Sequence, residues 1–571
     1  MKRFTIQDYH ILKPYIDISD YHEYNSNIAT MLMWDFQYHV YYEVFEHFAL
    51  VYTQEEGDVI EWLPPYCAPQ YRHEALAKMK EYSIQLNTPF VFHSLNKEFK
   101  DWIIKHYPLQ FFIYQFDGAQ DYIYDVEMQR SLVGKKMQKR RNHFHAFEKL
   151  YANRYEFRKI APVDFDAIYT FLDEWKANKD ESLYESIEFE RQGIERLLNN
   201  FTLFELDGGV IYIDGKLEAF SLTSKLAKDT IQIHVEKANR NFRGLSIAIV
   251  KYYLETLKPE VIYMNREDDM GIEALRKAKH DMHPIAMIPK YSVAYSPLMV
   301  RTACEEDKLQ IRELWSHRFE DEDQHSIDYY FKHLYQKEYC HVLYHNDALI
   351  AMMQLRPKQI MLNGNIQTAY FIFGVATNKQ YEGCGYMRLL FETLKKQYGE
   401  NTIYLLQAYN PTVYHSFGFT EAYEKYRYIL SKAKYPLLGG TLSCKNDSMT
   451  LTSLYHQFCQ NKNGYCIRNQ EYFQNIILPS LSYYEEKCYI YEKDGIAKGY
   501  LFVKETDIIE VSECIYTDDA SLNDMLALLS NTDKKVYVYL DAQLEEKRKT
   551  ISELMVLPYY HFDNLFIHER I

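Results

Sequence analysis

The feature that most constrains this chain is a pattern that returns at domain-sized intervals: an apolar strand, a two-residue polar turn, and a second apolar strand. It occurs as "VIYIDGKLEAFSL" around Asp214-Gly215, as "HVLYHNDALIAMMQL" around Asn346-Asp347, and as "CYIYEKDGIAKGYLFV" around Asp494-Gly495. A weaker version, "HFALVYTQEEGDVIEWLPPY", lies near Gly57. Asp-Gly and Asn-Asp suit the positive φ angles of two-residue hairpins. The copies are roughly 130–160 residues apart, about one per domain. A chain of 571 residues also exceeds what one hydrophobic core serves. The pattern predicts four copies of one α/β module; on spacing alone, coincidence among common hairpins remains the alternative.

The bulk properties exclude several classes. A net charge of −15 argues against a protein that coats nucleic acid or an anionic membrane, although it leaves room for a local basic patch. The start, "MKRFTIQDYH", has no apolar signal segment, and no run reaches the roughly 18 apolar residues of a membrane span. The nine cysteines are scattered without a CxxC pair, so neither a disulfide framework nor a structural zinc site is expected, and a reducing cytoplasm is the natural compartment.

Residues 371–399 carry the clearest chemistry. "YFIFGVAT" is an apolar run of the kind a central strand shows. After the turn "QYEGCGYM", Met387, Leu390, Phe391 and Leu394 fall on one helical face. Gly383 and Gly385 therefore stand where a helix opens, with unpaired N–H groups and the positive end of the dipole exposed, and they let a ligand approach the backbone. That is an anion cradle; a plain tight turn is the structural alternative. Next comes "NTIYLLQAYNPTVYHSFGF", which predicts a buried strand, then Asn410-Pro411, then a short helix with Tyr414. A fresh amphipathic helix is predicted over Ala303 to Trp315, and a linker around residue 438.

These two segments together resemble the GNAT acetyltransferase superfamily. Gln380, Gly383 and Gly385 match its pyrophosphate loop, and "VYHSFGF" matches its Phe-Tyr-x-x-x-Gly-Phe ending. The resemblance implies acetyl-CoA as cosubstrate, contacted by Val375, Gln380, Tyr381, Gly383, Cys384, Gly385, Tyr386 and Asn410. It implies Tyr414 as the catalytic proton donor, a backbone N–H near Val375 as the polarising group, and no metal. Residues 299–571 look most like the tandem-GNAT part of the Eis acetyltransferases. Those proteins continue into a sterol-carrier-like domain that supplies a carboxylate base. This sequence ends at Ile571, inside the second module, and "YFIFGVAT" has no carboxylate, so the base is expected to differ, with water as relay. The last module has "IIEVSECIYTDDASLNDML" in place of a glycine loop; Asp518 and Asp519 would repel a pyrophosphate, so a degenerate copy is expected there.

The first half holds "LVGKKMQKRRNHFHAFEKLYANRYEFRKI", "DTIQIHVEKANRNFRGLSIAIVKYYL" and "VIYMNREDDMGIEALRKAKHDMHP". It is similar to the soluble relatives of the phosphatidylglycerol lysyltransferase C-terminal domain, itself a tandem of GNAT-like modules. The similarity carries over His234, Glu236, Lys237, Asn265, Arg266, Glu267, Asp268 and Gly271 as a second candidate site. These residues would bind an amine or orient a phosphate through Arg266; a fold-setting ion-pair network is the alternative. Gly244 stands alone here, with Arg240 and Arg243 beside it. Lys135, Lys136, Lys139, Arg140 and Arg141 put five cations in seven residues, fit for a tRNA acceptor stem or a CoA phosphate, or else a solvated helix face. The acidic run Glu320, Asp321, Glu322, Asp323 reads as a solvated loop able to attract a cationic amine.

The expected fold is α/β, with tandem GNAT-like modules, each a mixed central sheet flanked by helices, near 1–125, 126–296, 299–432 and 440–571. The expected function is acetyl-CoA-dependent transfer to a small-molecule or peptide amine. The alternatives are a tRNA-dependent aminoacyl transferase in residues 1–296 and a non-catalytic CoA-binding scaffold.

Overall fold

The computed structural model describes residues 1–19, 21–55, 59–116, 118–177, 184–408, 410–430, 437–541 and 548–557. The chain divides into two compact units, Met1–Leu298 with Gln380–Gly385, and Met299–Lys379 with Tyr386–Ile571. It is mixed α/β throughout, with helices between the strands of mixed sheets. Among the described residues no helix is long and apolar enough to cross a membrane.

The three sequence-predicted hairpins are all present. Asp207–Ile213 pairs antiparallel with Lys216–Lys225, Cys340–His345 with Ala348–Leu362, and Glu486–Lys493 with Ile496–Glu505. Asp214, Gly215, Asn346, Asp494 and Gly495 all have positive φ, which is why those residue types occupy the turns. The turn at Gly57 lies outside the described residues; the strands either side of it, Phe48–Gln54 and Glu61–Trp62, pair antiparallel.

One connection recurs four times among the described residues: a strand, a helix, and a second strand parallel to the first. Glu61–Trp62 reaches Val91–Leu95 across helix Arg72–Gln85, and Thr230–Ala238 reaches Tyr263–Asn265 across Leu245–Glu255. Asn365–Thr377 reaches Ile403–Leu406 across Tyr386–Tyr398, and Ile508–Tyr516 reaches Lys535–Leu540 across Asp519–Ser530.

Within each unit, strands trade places. In the first unit, Gln120–Asp125 lies between Ala286–Pro289 and Tyr263–Asn265 in a seven-stranded sheet. In return, Tyr291–Tyr295 lies between Val91–Leu95 and Phe111–Tyr114 in an eight-stranded sheet. In the second unit the exchange goes further. Arg548–Leu557 inserts between Ile403–Leu406 and Thr420–Ile429, and Thr420–Ile429 continues onto Lys535–Leu540, so thirteen strands form one sheet. Each exchanged strand ties one sequence segment to another through backbone hydrogen bonds.

The predicted helix at Ala303 begins later, at Lys308, and runs to Arg318, because Met299–Thr302 first joins the sheet as a strand. Its buried Ile311, Leu314 and Trp315 pack with Tyr330, Met352 and Ala376. The linker predicted around residue 438 leads into a strand at Thr441–Cys444.

Candidate functional site

Three of the four long strands share a defect at the same place. In Thr230–Ala238, Val235 faces Leu222 and Ile233 faces Thr223, which leaves His234 as an extra residue. In Asn365–Thr377, Ala376 faces Met352 and Phe373 faces Gln354, so Gly374 and Val375 stand against Met353 alone. In Ile508–Tyr516, Glu513 faces Phe502 and Val511 faces Val503, which leaves Ser512. Each bulge follows within two residues of the last parallel partner: Gln232 on Asn265, Ile372 on Leu406, Val511 on Val538. A bulge bends and twists its strand, so beyond it the long strand leaves its parallel neighbour. Sequence reasoning missed these bulges. The available signal was Gly374, a glycine inside an apolar strand run.

At Gly374 the requirement for glycine is explicit. Its φ is +55°, and a Cβ would lie 2.4 Å from the Trp315 ring. Val375 follows in the interrupted ladder. Beyond the strand, a turn at Lys379–Tyr381 leads to helix Tyr386–Tyr398. Gly383 and Gly385, at φ +74° and +93°, hold a conformation that side chains rarely adopt. Gln380 is exposed, Tyr381 half-buried and Tyr386 buried. Cys384 is buried, and burial raises its thiol to about 11, which marks a packing residue and not a nucleophile. Met387, Leu390, Phe391 and Leu394 form the inward face of the helix, as the periodicity predicts, with Met387 half-buried.

Tyr414 sits on the short helix Pro411–His415, started by Asn410, whose side chain accepts from the Thr412 N–H at 3.2 Å. Asn410 thus has a structural task as helix cap. The Tyr414 ring lines a small apolar pocket with Met353, Ile372, Met387, Phe391, Leu406 and Phe419. Ile372 and Leu406 are the last partners of the parallel pair, so the pocket lies at the end of the pairing. Burial raises the Tyr414 phenol above its ordinary value, which keeps it protonated and fit to donate. The walls are wholly apolar and enclose only about 10 Å³, and the positive-φ glycines stand at the start of the following helix.

On the acidic run, Glu322 accepts from the Trp315 indole at 2.9 Å, and Asp323 caps helix Gln324–Tyr329 through the Ser326 N–H. Trp315 stacks on Tyr330, and both rings meet Phe373 edge-on.

The second candidate site is gathered by the first unit at its own bulge. Arg266 donates to Glu236 at 2.6 Å, linking the turn after Tyr263–Asn265 to the departing strand. Asn265 donates to Asp121 and accepts from the Glu267 N–H, both at 2.8 Å. Glu267, at φ +59°, accepts from Gln232 at 2.8 Å. Asp268 accepts from Lys290 at 2.8 Å and from Tyr24 at 3.1 Å. Lys237 pairs with Glu190, away from this group. His234 is held by Ser224 at 2.7 Å, with Nδ1 unpartnered, and burial pulls it down to about 3, so it is neutral. Burial pushes the Glu267 carboxyl up and pulls the Lys279 ammonium down. Gly118 is needed sterically, since a Cβ there would lie 2.2 Å from the Gly271 nitrogen, and Gly271 itself takes a φ of +74°. Most partners of the motif therefore come from other segments of the first unit.

Gly244, at φ +82°, opens helix Leu245–Glu255, but a Cβ there would lie 2.2 Å from the His143 carbonyl oxygen. That glycine admits a neighbouring helix. Arg240 and Arg243 are exposed. In the fourth copy, Asp518 caps helix Asp519–Ser530 by accepting from the Ser521 N–H at 2.8 Å.

Repeated parallel crossovers, bulged long strands and a glycine helix start make a mixed α/β fold of the GNAT-like kind. Residues 17–294 match the family model for the C-terminal domain of phosphatidylglycerol lysyltransferase, and residues 299–422 match that of the acetyltransferase (GNAT) domain. Together the matches support an enzyme that transfers acyl groups. An uncharacterised protein of Mycoplasmoides gallisepticum is 23% identical over 197 residues, 34% of this chain and 61% of that protein's own length. A conserved protein of unknown function from Bacteroides thetaiotaomicron is 26% identical, covering 52% of this chain and 99% of its own, with a TM-score of 0.49. Eis1 from Mycobacterium abscessus is 11% identical, covering 45% and 72%, with a TM-score of 0.36.

Proposed function

We propose that this protein is an acetyl-CoA-dependent N-acetyltransferase acting on an amine, with its working site in residues 299–422. The observation that carries the reading is the Tyr414 pocket at the end of the Ile372–Leu406 pairing, two residues before the Gly374–Val375 bulge. When bound, acetyl-CoA supplies an activated acyl group as a thioester. The backbone N–H groups around Gly383 and Gly385 hold its pyrophosphate, because a helix start favours anions. The Val375 N–H, freed by the bulge from regular pairing, stabilises the oxygen on which negative charge develops. Tyr414 gives its proton to the departing thiolate, whose conjugate acid has a pKa near ~8–9. The acceptor amine attacks in its neutral form, and water carries its proton away, since the strand has no carboxylate of its own.

The test is an amine-library acetylation screen with acetyl-CoA, run with the wild type and Tyr414→Phe. An amine acetylated by the wild type and about 10²-fold more slowly by the variant supports the reading. No acetylation of any amine by protein that binds acetyl-CoA would leave the chain a CoA-binding scaffold.

A further inference from the structure

We propose that Arg140 is the anchor of a phosphate-binding site in the first unit, taking the terminal phosphate of a small phosphomonoester. Five cations in seven residues read as one basic face, but the structure separates them. Lys135, Lys136 and Lys139 are exposed to solvent. Arg141 is occupied by its own chain, donating to the Leu132 carbonyl at 2.5 Å and the Gly134 carbonyl at 3.3 Å. Arg140, on helix Gln138–Leu150, turns inward.

Arg140 has no hydrogen-bond or ion-pair partner among the described residues, and its Nε is buried and unsatisfied. Its electrostatic neighbours are Arg266, Glu236, Tyr124 and Asp281. Glu236 is bound to Arg266 at 2.6 Å, and Tyr124 gives its proton to the Lys279 carbonyl at 2.8 Å. Asp281 is exposed and makes no ion pair with it. Glu236 is thus committed to Arg266, and Asp281 acts on Arg140 only through its field, which leaves the Arg140 guanidinium without a bonded counter-ion among the described residues. Burial pulls the Arg140 guanidinium down to about 10, the expected response of a cation short of solvent and counter-ion. A half-buried charge without a partner is costly unless something completes it.

The completing group is an oxyanion. A guanidinium presents a planar fork that matches phosphate oxygens, and Arg266 adds field without being free to donate its whole fork. The exposed Lys135, Lys136 and Lys139 steer an anion toward the same helix. A single inward arginine suits a terminal phosphate better than a polynucleotide backbone, which needs a row of cations in register with successive phosphates.

The test uses the full chain carrying Gly385→Asp, so that the glycine turn at Gln380–Gly385 does not contribute. Adenosine 3′,5′-bisphosphate is titrated by calorimetry into this protein with and without Arg140→Met. The expected result is a loss of about tenfold or more in affinity on losing the charge-assisted pair. Thermal melting in phosphate against chloride gives a second readout. Phosphate should raise the melting temperature of the Arg140 protein by more than it raises that of Arg140→Met, and Arg140→Lys should keep part of the difference. In chloride, Arg140→Met should melt no lower than its parent, because the side chain removed has no partner to leave behind. Equal affinity in both proteins, or equal phosphate-induced shifts, overturns the proposal. So does a variant that binds the bisphosphate normally and loses affinity only for a short RNA hairpin, since the basic helix would then be a polynucleotide surface.

Discussion

The turn before helix Tyr386–Tyr398 and the turn before helix Asp519–Ser530 occupy the same place in the fold, between the long strand of a parallel pair and its crossover helix. They are built in opposite ways. The first uses Gly383 and Gly385 at positive φ, and the first turn of its helix holds no acidic residue. In the second, Asp518 puts a carboxylate where an anion would sit and satisfies the Ser521 N–H. The bulges differ in the same sense. Beside Gly374 lies an apolar pocket with a phenol at its edge. Beside Ser512, Glu513 is buried and held by Arg468 at 2.9 and 3.0 Å and by Tyr500 at 2.7 Å. One copy has glycines at its helix start and apolar walls beside its bulge, and the other fills both places with its own charges.

The largest effect should come from breaking the filled copy. Arg468→Met leaves the Glu513 carboxylate buried without its counter-ion and should cost about 3–5 kcal/mol of stability. Denaturant unfolding measures the cost; a loss below about 1 kcal/mol would mean that the pair does not lock this segment. Acetyl-CoA binding by the folded variant should be unchanged, because the pair belongs to the other bulge.

Tyr414→Phe acts on the open copy. It should slow single-turnover acetyl transfer by about 10²-fold, or ~2.7 kcal/mol of barrier, and leave the acetyl-CoA KM nearly constant. A rate within threefold of wild type would show that the thiolate takes its proton elsewhere. Asp518→Ala removes a helix cap and should cost about 1 kcal/mol. It should not create acetyl-CoA binding, since the Arg468–Glu513 pair still fills the adjoining bulge; binding gained on this single change would mean that the cap alone closes the fourth copy.

A smaller effect follows pH in both units. His234 and His341 are buried, and burial pulls their folded values down to about 3 and about 4. A histidine with a depressed folded value contributes stability above its unfolded value near ~6.5 and loses it as pH falls toward the folded one. Each should therefore subtract just under ~1 kcal/mol by pH 6, with more lost below. His341→Gln should flatten the acid-side loss of stability of the second unit; an unchanged slope would place that loss on other groups.

Local features were legible in the sequence. The turn residues Asp214-Gly215, Asn346-Asp347 and Asp494-Gly495 announce hairpins because only a few residue types tolerate their backbone angles. The glycine turn and the inward face of helix Tyr386–Tyr398 were legible for similar reasons. The exchanged strands were not. Gln120–Asp125 and Tyr291–Tyr295 read as ordinary apolar strands, and alternation along a strand says nothing about which sheet receives it. The bulges rest on one extra residue each and leave no periodic trace. At the second candidate site, the charges of Asn265–Asp269 were visible, but their partners Asp121, Gln232, Glu236 and Lys290 are distant in sequence. The basic run hid Arg140 because composition does not tell which face of a helix a cation takes.

The central claim is that the glycine turn, and not its filled counterpart, receives acetyl-CoA. Calorimetric titration of acetyl-CoA into wild type and Gly385→Asp tests it most directly. A carboxylate placed against a pyrophosphate should weaken binding at least about tenfold, or ~1.4 kcal/mol, in protein whose melting shows it folded. Unchanged affinity in folded Gly385→Asp would contradict the account.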